Sequence, residues 1–238
     1  MENTSPSIQA VLFDCDGTLV DSEYAHYQGW KHALKHFGID FPLSDYYQYV
    51  GNSVQNIASL LAETNGKGSP EQVLKMKQEF FRELCKGGLP LISPTVEFLK
   101  KLAEKKTSSG IKIGVCSAAK KNEVLSHLPH LGIEDLLDVV LSGQDDLGSY
   151  SDPEGVNKPK PYVYLEAMAK LGVPPSQTVV IEDSAIGVAA GVAAGCFTIA
   201  IPNEYTKHQD FQHADLQLET LAELEMDALE GIIHGAQV

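Results

Sequence analysis

Aspartate residues cluster where an apolar run ends near the amino terminus, in the segment AVLFDCDGTLVDSE of residues 10–23. Asp14, Asp16 and Asp21 follow this run and surround Gly17. A carboxylate at the end of a buried strand is costly unless a partner or a cation compensates for its charge. The group is therefore either a solvated turn or a metal site. A calcium-binding loop does not fit, because the glycine comes too early and no glutamate closes the loop at the required distance.

Polar residues also follow two later apolar runs and begin a predicted helix. Ser117 ends one run, Glu182 and Asp183 end another, and Lys158 stands where a helix is predicted to start. Taken alone, the serine is typical of a helix cap and the lysine of a solvated surface charge. In a parallel sheet, however, the carboxyl ends of the strands share one edge and bring such residues together. Converging carboxylates would repel by roughly 4 kcal/mol per close pair at an effective dielectric of about 20, which favours a Mg²⁺ ion with a substrate phosphate.

The elements that must position these residues are short apolar runs that predict buried strands, at residues 8–14, 111–117, 137–143, 178–183 and 196–201. Helical patterns separate the later runs, with start signals at Ser93-Pro94, Lys158-Pro159 and Ser184. Strands that alternate with helices predict an α/β fold with a parallel, doubly wound sheet. The segment at 214–224 predicts a last short strand that leads into a C-terminal helix.

Residues 22–91 interrupt this alternation, since no buried strand is predicted within them. Two sets of apolar residues have helical spacing there: Tyr27, Trp30, Leu34 and Phe37, and then Val73, Met76, Phe80 and Leu84. Shorter helical patterns lie near 43–50 and 53–63. The predicted domains are a core of residues 1–21 and 92–238 and a helical domain of residues 22–91. An insertion at this point would lie over the carboxyl ends of the strands, where open α/β sheets bind ligands.

The sequence contains the motifs DCDGT at 14–18, VCSAA at 115–119, KPKP at 158–161 and IEDSAIG at 181–187. These four motifs resemble those of the haloacid dehalogenase superfamily, in the branch of phosphatases and phosphomutases related to β-phosphoglucomutase. The resemblance runs from about residue 8 to residue 215. It implies a Rossmann-like parallel sheet core with an inserted, mobile helical cap domain.

The resemblance also implies how the aspartates act. Asp14 would be the nucleophile that attacks phosphorus and becomes a transient aspartyl-phosphate. Asp16 would be the general acid and base, and its backbone carbonyl would help to hold the metal. The implied Mg²⁺ ligands are Asp14, Asp16, Glu182 and Asp183. Cleavage of a carbon–chlorine bond is not expected, because the dehalogenase branch lacks an acid at the position of Asp16.

Substrate contacts are implied at further positions. Ser117 and Lys158 would bind the oxygens of the transferring phosphoryl group, and Lys158 would also compensate the carboxylates. Lys120 lies where the mutase directs a lysine toward the other phosphate, although a surface charge is the alternative. His26 lies where the mutase has its substrate-sensing histidine, although a half-exposed helix residue is the alternative. Residues 50–56 correspond to the segment where the mutase carries an arginine, and they contain neither arginine nor lysine.

Composition limits the partners of the protein. The net charge of −14, without any basic run, argues against binding to nucleic acid or to an anionic membrane. No apolar stretch approaches the roughly 18 residues of a membrane span, and the start MENTSPSIQA lacks signal-peptide features, so a cytoplasmic location is expected. The expected partner is a small phosphorylated metabolite, bound by a monomer or a small homo-oligomer.

The leading hypothesis is a Mg²⁺-dependent phosphatase that hydrolyses a small phosphorylated metabolite, such as a sugar or polyol phosphate, through an aspartyl-phosphate. A β-phosphoglucomutase-like hexose-phosphate mutase is the alternative that His26 and Lys120 favour, and the missing arginine argues against it. A non-enzymatic alternative is a phospho-accepting switch module, since receiver domains also place acidic residues, Ser or Thr, and Lys at strand ends. The acidic loop 143–157 is expected either to gate or contact the substrate or to be a solvated loop.

Overall fold

The computed structural model describes residues 8–50, 57–59, 68–222, 224–225, 228–229 and 231. The chain separates into two compact units, which are called here the core unit (Met1–Val20 with Leu91–Val238) and the inserted unit (Asp21–Pro90). Each junction lies one residue before the boundary expected from the sequence. The role of the inserted unit as a cap stays a prediction.

The core unit contains a parallel β-sheet. Its strands are β1 (Ala10–Phe13), β2 (Lys112–Ser117), β3 (Val139–Ser142), β4 (Thr178–Glu182), β5 (Phe197–Ala200) and β6 (Leu216–Gln217). They pair in parallel in the order β3-β2-β1-β4-β5-β6. The predicted strands are confirmed within a few residues of their expected bounds, and so is the α/β class with a Rossmann-like core. In the C-terminal segment, residues 228, 229 and 231 are helical.

Helices make up most of the remaining regular structure. They are α1 (Glu23–His36), α2 (Leu43–Tyr46), α3 (Pro70–Cys85), α4 (Ser93–Ser109), α5 (Lys121–Leu131), α6 (Tyr162–Leu171) and α7 (Ala185–Ala193). The first three belong to the inserted unit and the other four to the core unit. None of the described helices combines the length and hydropathy that a membrane span requires.

Strand β1 lies between β2 and β4 and is fully buried, which explains why its sequence is apolar at every position. Helix α7 packs closely on β4 and β5 because it presents a small residue to them. A Cβ at Gly191 would lie 2.7 Å from Thr198 Oγ1 and 3.0 Å from Val180 Cγ1, so a larger side chain has no room there. This close approach holds the C-terminal half of α7 against β4 and β5.

Helix α6 begins later than expected. The sequence predicted a helix start at Lys158-Pro159, whereas the first helical residue is Tyr162, with Pro161 as its N-cap. A residue that precedes proline is disfavoured in the helical conformation, and both Lys158 and Lys160 precede prolines. The segment 158–161 therefore forms a turn in front of the helix, which leaves Lys158 outside α6.

The inserted unit contains α1 packed against α3, as their helical spacing predicts. Ser69 and Gln72 form a capping box at the start of α3. The buried face of α3 differs from the predicted one, because Leu84 is exposed and Lys77 is buried. Aromatic rings explain this burial, since the Lys77 ammonium lies 4.3 Å from the ring centroid of Phe81. The helix predicted near 53–63 lies outside the described residues except at 57–59, which are helical.

We expect the substitution Gly191→Val to lower the free energy of unfolding by about 1–3 kcal/mol, because the added side chain overlaps β4 and β5. The substitution Ala189→Val adds a similar side chain on the exposed face of the same helix, and its effect should stay below about 0.5 kcal/mol. Urea unfolding of both variants measures the difference. Equal effects would contradict the close packing of α7 on the sheet.

Candidate active site

The parallel register brings Asp14 and Glu182 to the same level of the sheet. Phe13 of β1 is paired with Ile181 of β4, and the Asp14 N–H donates to the Ile181 carbonyl at 2.9 Å. Asp14 therefore leaves β1 beside Glu182, the last residue of β4. Both carboxylates are at the carboxyl ends of adjacent, buried strands, as expected from the sequence.

Lys158 contacts both of these carboxylates. Its Nζ lies 2.5 Å from Asp14 Oδ1 and 2.7 Å from Glu182 Oε1, and it also donates to the Cys116 carbonyl at 2.8 Å. The Lys158 side chain is 4% exposed, and the Glu182 side chain is 1% exposed. Lys158 is thus a buried cation that joins the ends of β1, β2 and β4.

Burial and charge determine the protonation of this group. Burial raises the pKa of the Asp14 carboxyl well above its usual value, the Lys158 ammonium opposes that shift, and the Glu182 carboxylate adds to it. Burial alone would lower the pKa of Lys158, but the neighbouring Asp14 and Glu182 carboxylates outweigh it and raise the pKa above its usual value. Lys158 therefore remains an ammonium group and favours the ionised form of Asp14.

Asp16 and Ser117 meet beside this cluster. The Ser117 hydroxyl lies 3.4 Å from Asp16 Oδ2, and it accepts a hydrogen bond from the Ala119 N–H at 3.0 Å. Ser117 is the last residue of β2, so the structure places it at the same sheet edge as Asp14. The hydroxyl and the backbone of the following turn thus border the carboxylates from the side of β2.

Asp183 is held against the turn that follows β1. Asn203 Nδ2 donates to Asp183 Oδ2 at 2.7 Å and to the Gly17 carbonyl at 3.3 Å. Gly17 has a φ of +83°, and a Cβ at this position would overlap Asp183 Oδ2. Glycine is therefore required here for both the backbone conformation and the approach of Asp183.

Three carboxylates are close enough to bind one cation. Asp14, Glu182 and Asp183 each offer an oxygen, and these oxygens all lie within 4.8 Å of one another. All three residues are buried, and buried carboxylates at this spacing repel unless a positive charge lies between them. The set fits a divalent metal ion that prefers oxygen ligands. The Asp16 carboxylate is not part of this set, and its predicted contribution through the backbone carbonyl stays a prediction.

The two remaining predicted substrate residues are Lys120 and His26. Lys120 is half-buried at the N-cap of α5, and its ammonium makes no hydrogen bond or ion pair with another described residue. His26 belongs to α1 of the inserted unit, where its Nδ1 lies 2.6 Å from Lys77 Nζ and its ring stacks on Phe81 at 4.2 Å. Their roles as substrate contacts stay predictions. The segment in which the mutase carries an arginine corresponds here to residues 50–56, of which 51–56 lie outside the described ranges.

Residues near both ends of the acidic loop 143–157 form hydrogen bonds with the site. Asn157 Nδ2 donates to the Ala118 carbonyl at 2.8 Å, and Asn157 Oδ1 accepts from the Lys158 N–H at 2.9 Å. Gln144 Nε2 also donates to the Ala118 carbonyl, at 3.2 Å. These bonds connect the loop to the turn after Ser117 and to the backbone of Lys158.

Sequence reasoning missed several residues that form hydrogen bonds at the site: Tyr164, Asn157 and Asn203. The same rule that found Asp14 could have found Asn203, because it follows the carboxyl end of β5 by three residues. No comparable signal marks Tyr164, whose hydroxyl donates to Glu182 Oε1 at 2.5 Å. It is a fully buried residue in an apolar cluster that also contains Val163, Ala167 and Met168 of the same helix.

The family follows from comparison with known proteins. A model of the haloacid dehalogenase-like hydrolase family matches residues 11–201, which is most of the chain. The chain belongs to this family. Protein CbbY of Cereibacter sphaeroides is 30% identical over 228 residues, which cover 91% of this chain and 94% of that protein. The expectation drawn from the four motifs is confirmed.

Two further relatives extend the comparison. Fructose-1-phosphate phosphatase YqaB of Escherichia coli (strain K12) is 28% identical over 186 residues, which cover 78% of this chain and 92% of that protein. The crystal structure of β-phosphoglucomutase from Clostridium difficile is similar to this chain with a TM-score of 0.77 and 24% identity, over 96% of this chain and 98% of that one. This second likeness confirms the fold.

We expect Lys158→Met to lower the free energy of unfolding by about 3–5 kcal/mol in EDTA, because it leaves the Asp14 and Glu182 carboxylates buried without their cation. The matched control is Lys160→Met, which removes a partly exposed lysine that pairs with Asp152 and Glu154. Its effect should be small, since exposed ion pairs contribute little. Urea unfolding compares the two variants. Equal losses would show that Lys158 contributes no more than a surface lysine.

Proposed function

We propose that this protein is a Mg²⁺-dependent phosphatase that hydrolyses a small phosphorylated metabolite, with sugar or polyol phosphates as the substrate class. The observation that carries the proposal is the buried group in which Lys158 contacts Asp14 and Glu182 while Asp183 completes three converging carboxylates. Membership of the hydrolase family supports the reaction class. The name of the Escherichia coli (strain K12) relative, a fructose-1-phosphate phosphatase, supports the substrate class.

In the proposed reaction, a carboxylate oxygen of Asp14 attacks phosphorus and the bond from phosphorus to the ester oxygen breaks. Asp16 donates a proton to that leaving oxygen, which departs as an alcohol. Asp16 then accepts a proton from the water that attacks phosphorus in the aspartyl-phosphate. This second step releases inorganic phosphate, and Asp14 returns to its starting form.

Ser117 and Lys158 are proposed to bind the transferring phosphoryl group. The Ser117 hydroxyl lies beside Asp16 and the Lys158 ammonium contacts Asp14 at the same sheet edge, where the negative oxygens of a phosphoryl group would lie. Lys158 also favours the ionised form of Asp14, which is the nucleophilic form. Because the three donors of the Lys158 ammonium are used by Asp14, Glu182 and the Cys116 carbonyl, a phosphoryl oxygen would replace one of these acceptors.

The carboxylates of Asp14, Glu182 and Asp183, together with the Asp16 carbonyl, would hold Mg²⁺. The fit rests on the donor set, since hard oxygen ligands in this number suit Mg²⁺, which also accepts a substrate phosphate oxygen. A bound Mg²⁺ would neutralise charge on the phosphoryl group. We also propose that the inserted unit acts as a cap domain that contributes to substrate selection, with His26 among its substrate contacts.

A hexose-phosphate mutase is the second candidate function. It is favoured by Lys120, a half-buried residue whose ammonium makes no ion pair with another described residue and could donate to a second phosphate. A phosphatase transfers the phosphoryl group from Asp14 to water, whereas a mutase transfers it to a second position of a sugar. The same nucleophile serves both reactions, so the acceptor must be tested directly.

We expect Asp14→Asn to lower phosphate release by at least about a thousandfold, because the amide cannot form the aspartyl-phosphate. The assay measures phosphate released with Mg²⁺ from a panel of sugar, polyol and nucleotide monophosphates. Asp21→Asn is the matched control in the same segment, and it should retain activity because Asp21 has no proposed catalytic role. Undiminished turnover by Asp14→Asn would contradict the mechanism.

We expect a sugar 1-phosphate supplied with a bisphosphate primer to yield free phosphate and no isomerised sugar phosphate. The physical reason is that residues 50–56 lack the arginine that a mutase uses to hold the second phosphate. Chromatography of the sugar products, together with a phosphate assay, measures the two outcomes. Isomerised product that forms faster than free phosphate would establish the mutase instead.

A further inference from the structure

Tyr164 is a buried polar residue that the proposed reaction does not use. It lies in the first turn of α6 and is fully buried. Its hydroxyl donates to Glu182 Oε1 at 2.5 Å, and its ring lies 5.0 Å from the Lys158 ammonium. A buried tyrosine hydroxyl needs a hydrogen-bond partner, but nothing in the packing of a core helix requires that partner to be a proposed metal ligand.

The contacts of Glu182 fix its orientation from two directions. Lys158 and Tyr164 both donate to Oε1, at 2.7 and 2.5 Å. On the other side, the carboxylate lies against the backbone of α7, where a Cβ at Gly187 would overlap it. Among the described residues, none donates a hydrogen bond to Oε2. Two donors on Oε1 therefore leave Oε2 as the oxygen with acceptor capacity for a cation.

The hydroxyl of Tyr164 differs from Lys158 in what it does to this carboxylate. Lys158 neutralises part of its charge, whereas a tyrosine hydroxyl is a neutral donor. Burial raises the pKa of Tyr164 well above its usual value, and the Glu182 carboxylate adds to this shift, so the hydroxyl keeps its proton. Hydrogen bonds to a ligand residue from such neighbours commonly orient it for metal binding.

We propose that Tyr164 is a positioning residue that orients Glu182 for binding of a divalent cation by Asp14, Glu182 and Asp183. The inference rests on the metal site of the proposed function and deepens it. The hydroxyl acts through Glu182 and touches neither the substrate nor the reacting atoms. Without it, Glu182 keeps its ammonium partner but loses one of the two donors that fix its carboxylate.

The test compares two phenylalanine variants of the same helix. Tyr164→Phe removes the hydroxyl bound to Glu182 and keeps the ring beside Lys158. Tyr162→Phe removes a hydroxyl that donates to a different carboxylate, Asp152 Oδ2, at 3.0 Å. Calorimetric titration of Mg²⁺ into the substrate-free protein should show a Kd raised by about tenfold or more for Tyr164→Phe. The Kd of Tyr162→Phe should equal that of the wild type.

A double variant separates positioning from a general loss of structure. If Tyr164 acts through Glu182, Tyr164→Phe should weaken Mg²⁺ binding no further once Glu182→Gln is present. An additive loss in the double variant would overturn the inference, because it would show an effect that does not pass through Glu182. Phosphate release by Tyr164→Phe should return toward the wild-type rate at saturating Mg²⁺, which a distorted fold would not allow.

The outcomes distinguish this inference from the proposed function. Mg²⁺ binding by the wild type with an unchanged Kd in Tyr164→Phe would overturn the role of Tyr164 and leave the metal site intact. Equal weakening by both phenylalanine variants would also overturn it, since only one hydroxyl contacts the site. Absence of Mg²⁺ binding by the wild type would overturn the metal site itself, and the inference with it.

Discussion

The architecture of the site depends on one buried ammonium group that two carboxylates share. Lys158 Nζ contacts Asp14 and Glu182 and donates to the Cys116 carbonyl, so a single atom joins three adjacent strands. An isolated charge buried to this extent would cost several kcal/mol, and each of these ions is acceptable only because the others are present. The parallel register makes the arrangement possible, since it brings the ends of β1 and β4 level, where one lysine contacts both carboxylates.

One ammonium group does not neutralise the carboxylates of Asp14, Asp16, Glu182 and Asp183. The apo site therefore carries an excess of negative charge in a place from which water is largely removed, which destabilises the fold. A sequence selected for stability alone would not keep such a group, and functional sites are where this cost is retained. The same excess charge favours binding of a cation. In the proposed reaction, the site with its cation would then attract a phosphate.

Sequence patterns predicted the strands that are buried on both faces, and they missed contacts that depend on tertiary packing. The central strands could be predicted because burial on both faces requires a continuous apolar run. The site residues at strand ends could be predicted because parallel strands share an edge. The late start of α6 follows from local backbone preferences of residues before proline, but the buried Lys77 depends on aromatic rings of its own unit. Asn203 could have been found by its place after β5, but Tyr164 contacts a residue in a different element and no local pattern identifies it.

The two neutral donors explain how the site is ordered without losing its charge. Tyr164 donates to Glu182 and Asn203 donates to Asp183, and each bond restrains one carboxylate. A lysine or arginine at either position would restrain the carboxylate as well, but it would cancel the negative charge that attracts a cation. Lys158 already balances part of the charge, and a second ammonium group would compete with the metal for the same oxygens. Charge compensation and orientation are therefore divided between residue types. Lys158 compensates part of the negative charge, and uncharged hydrogen-bond donors orient the carboxylates.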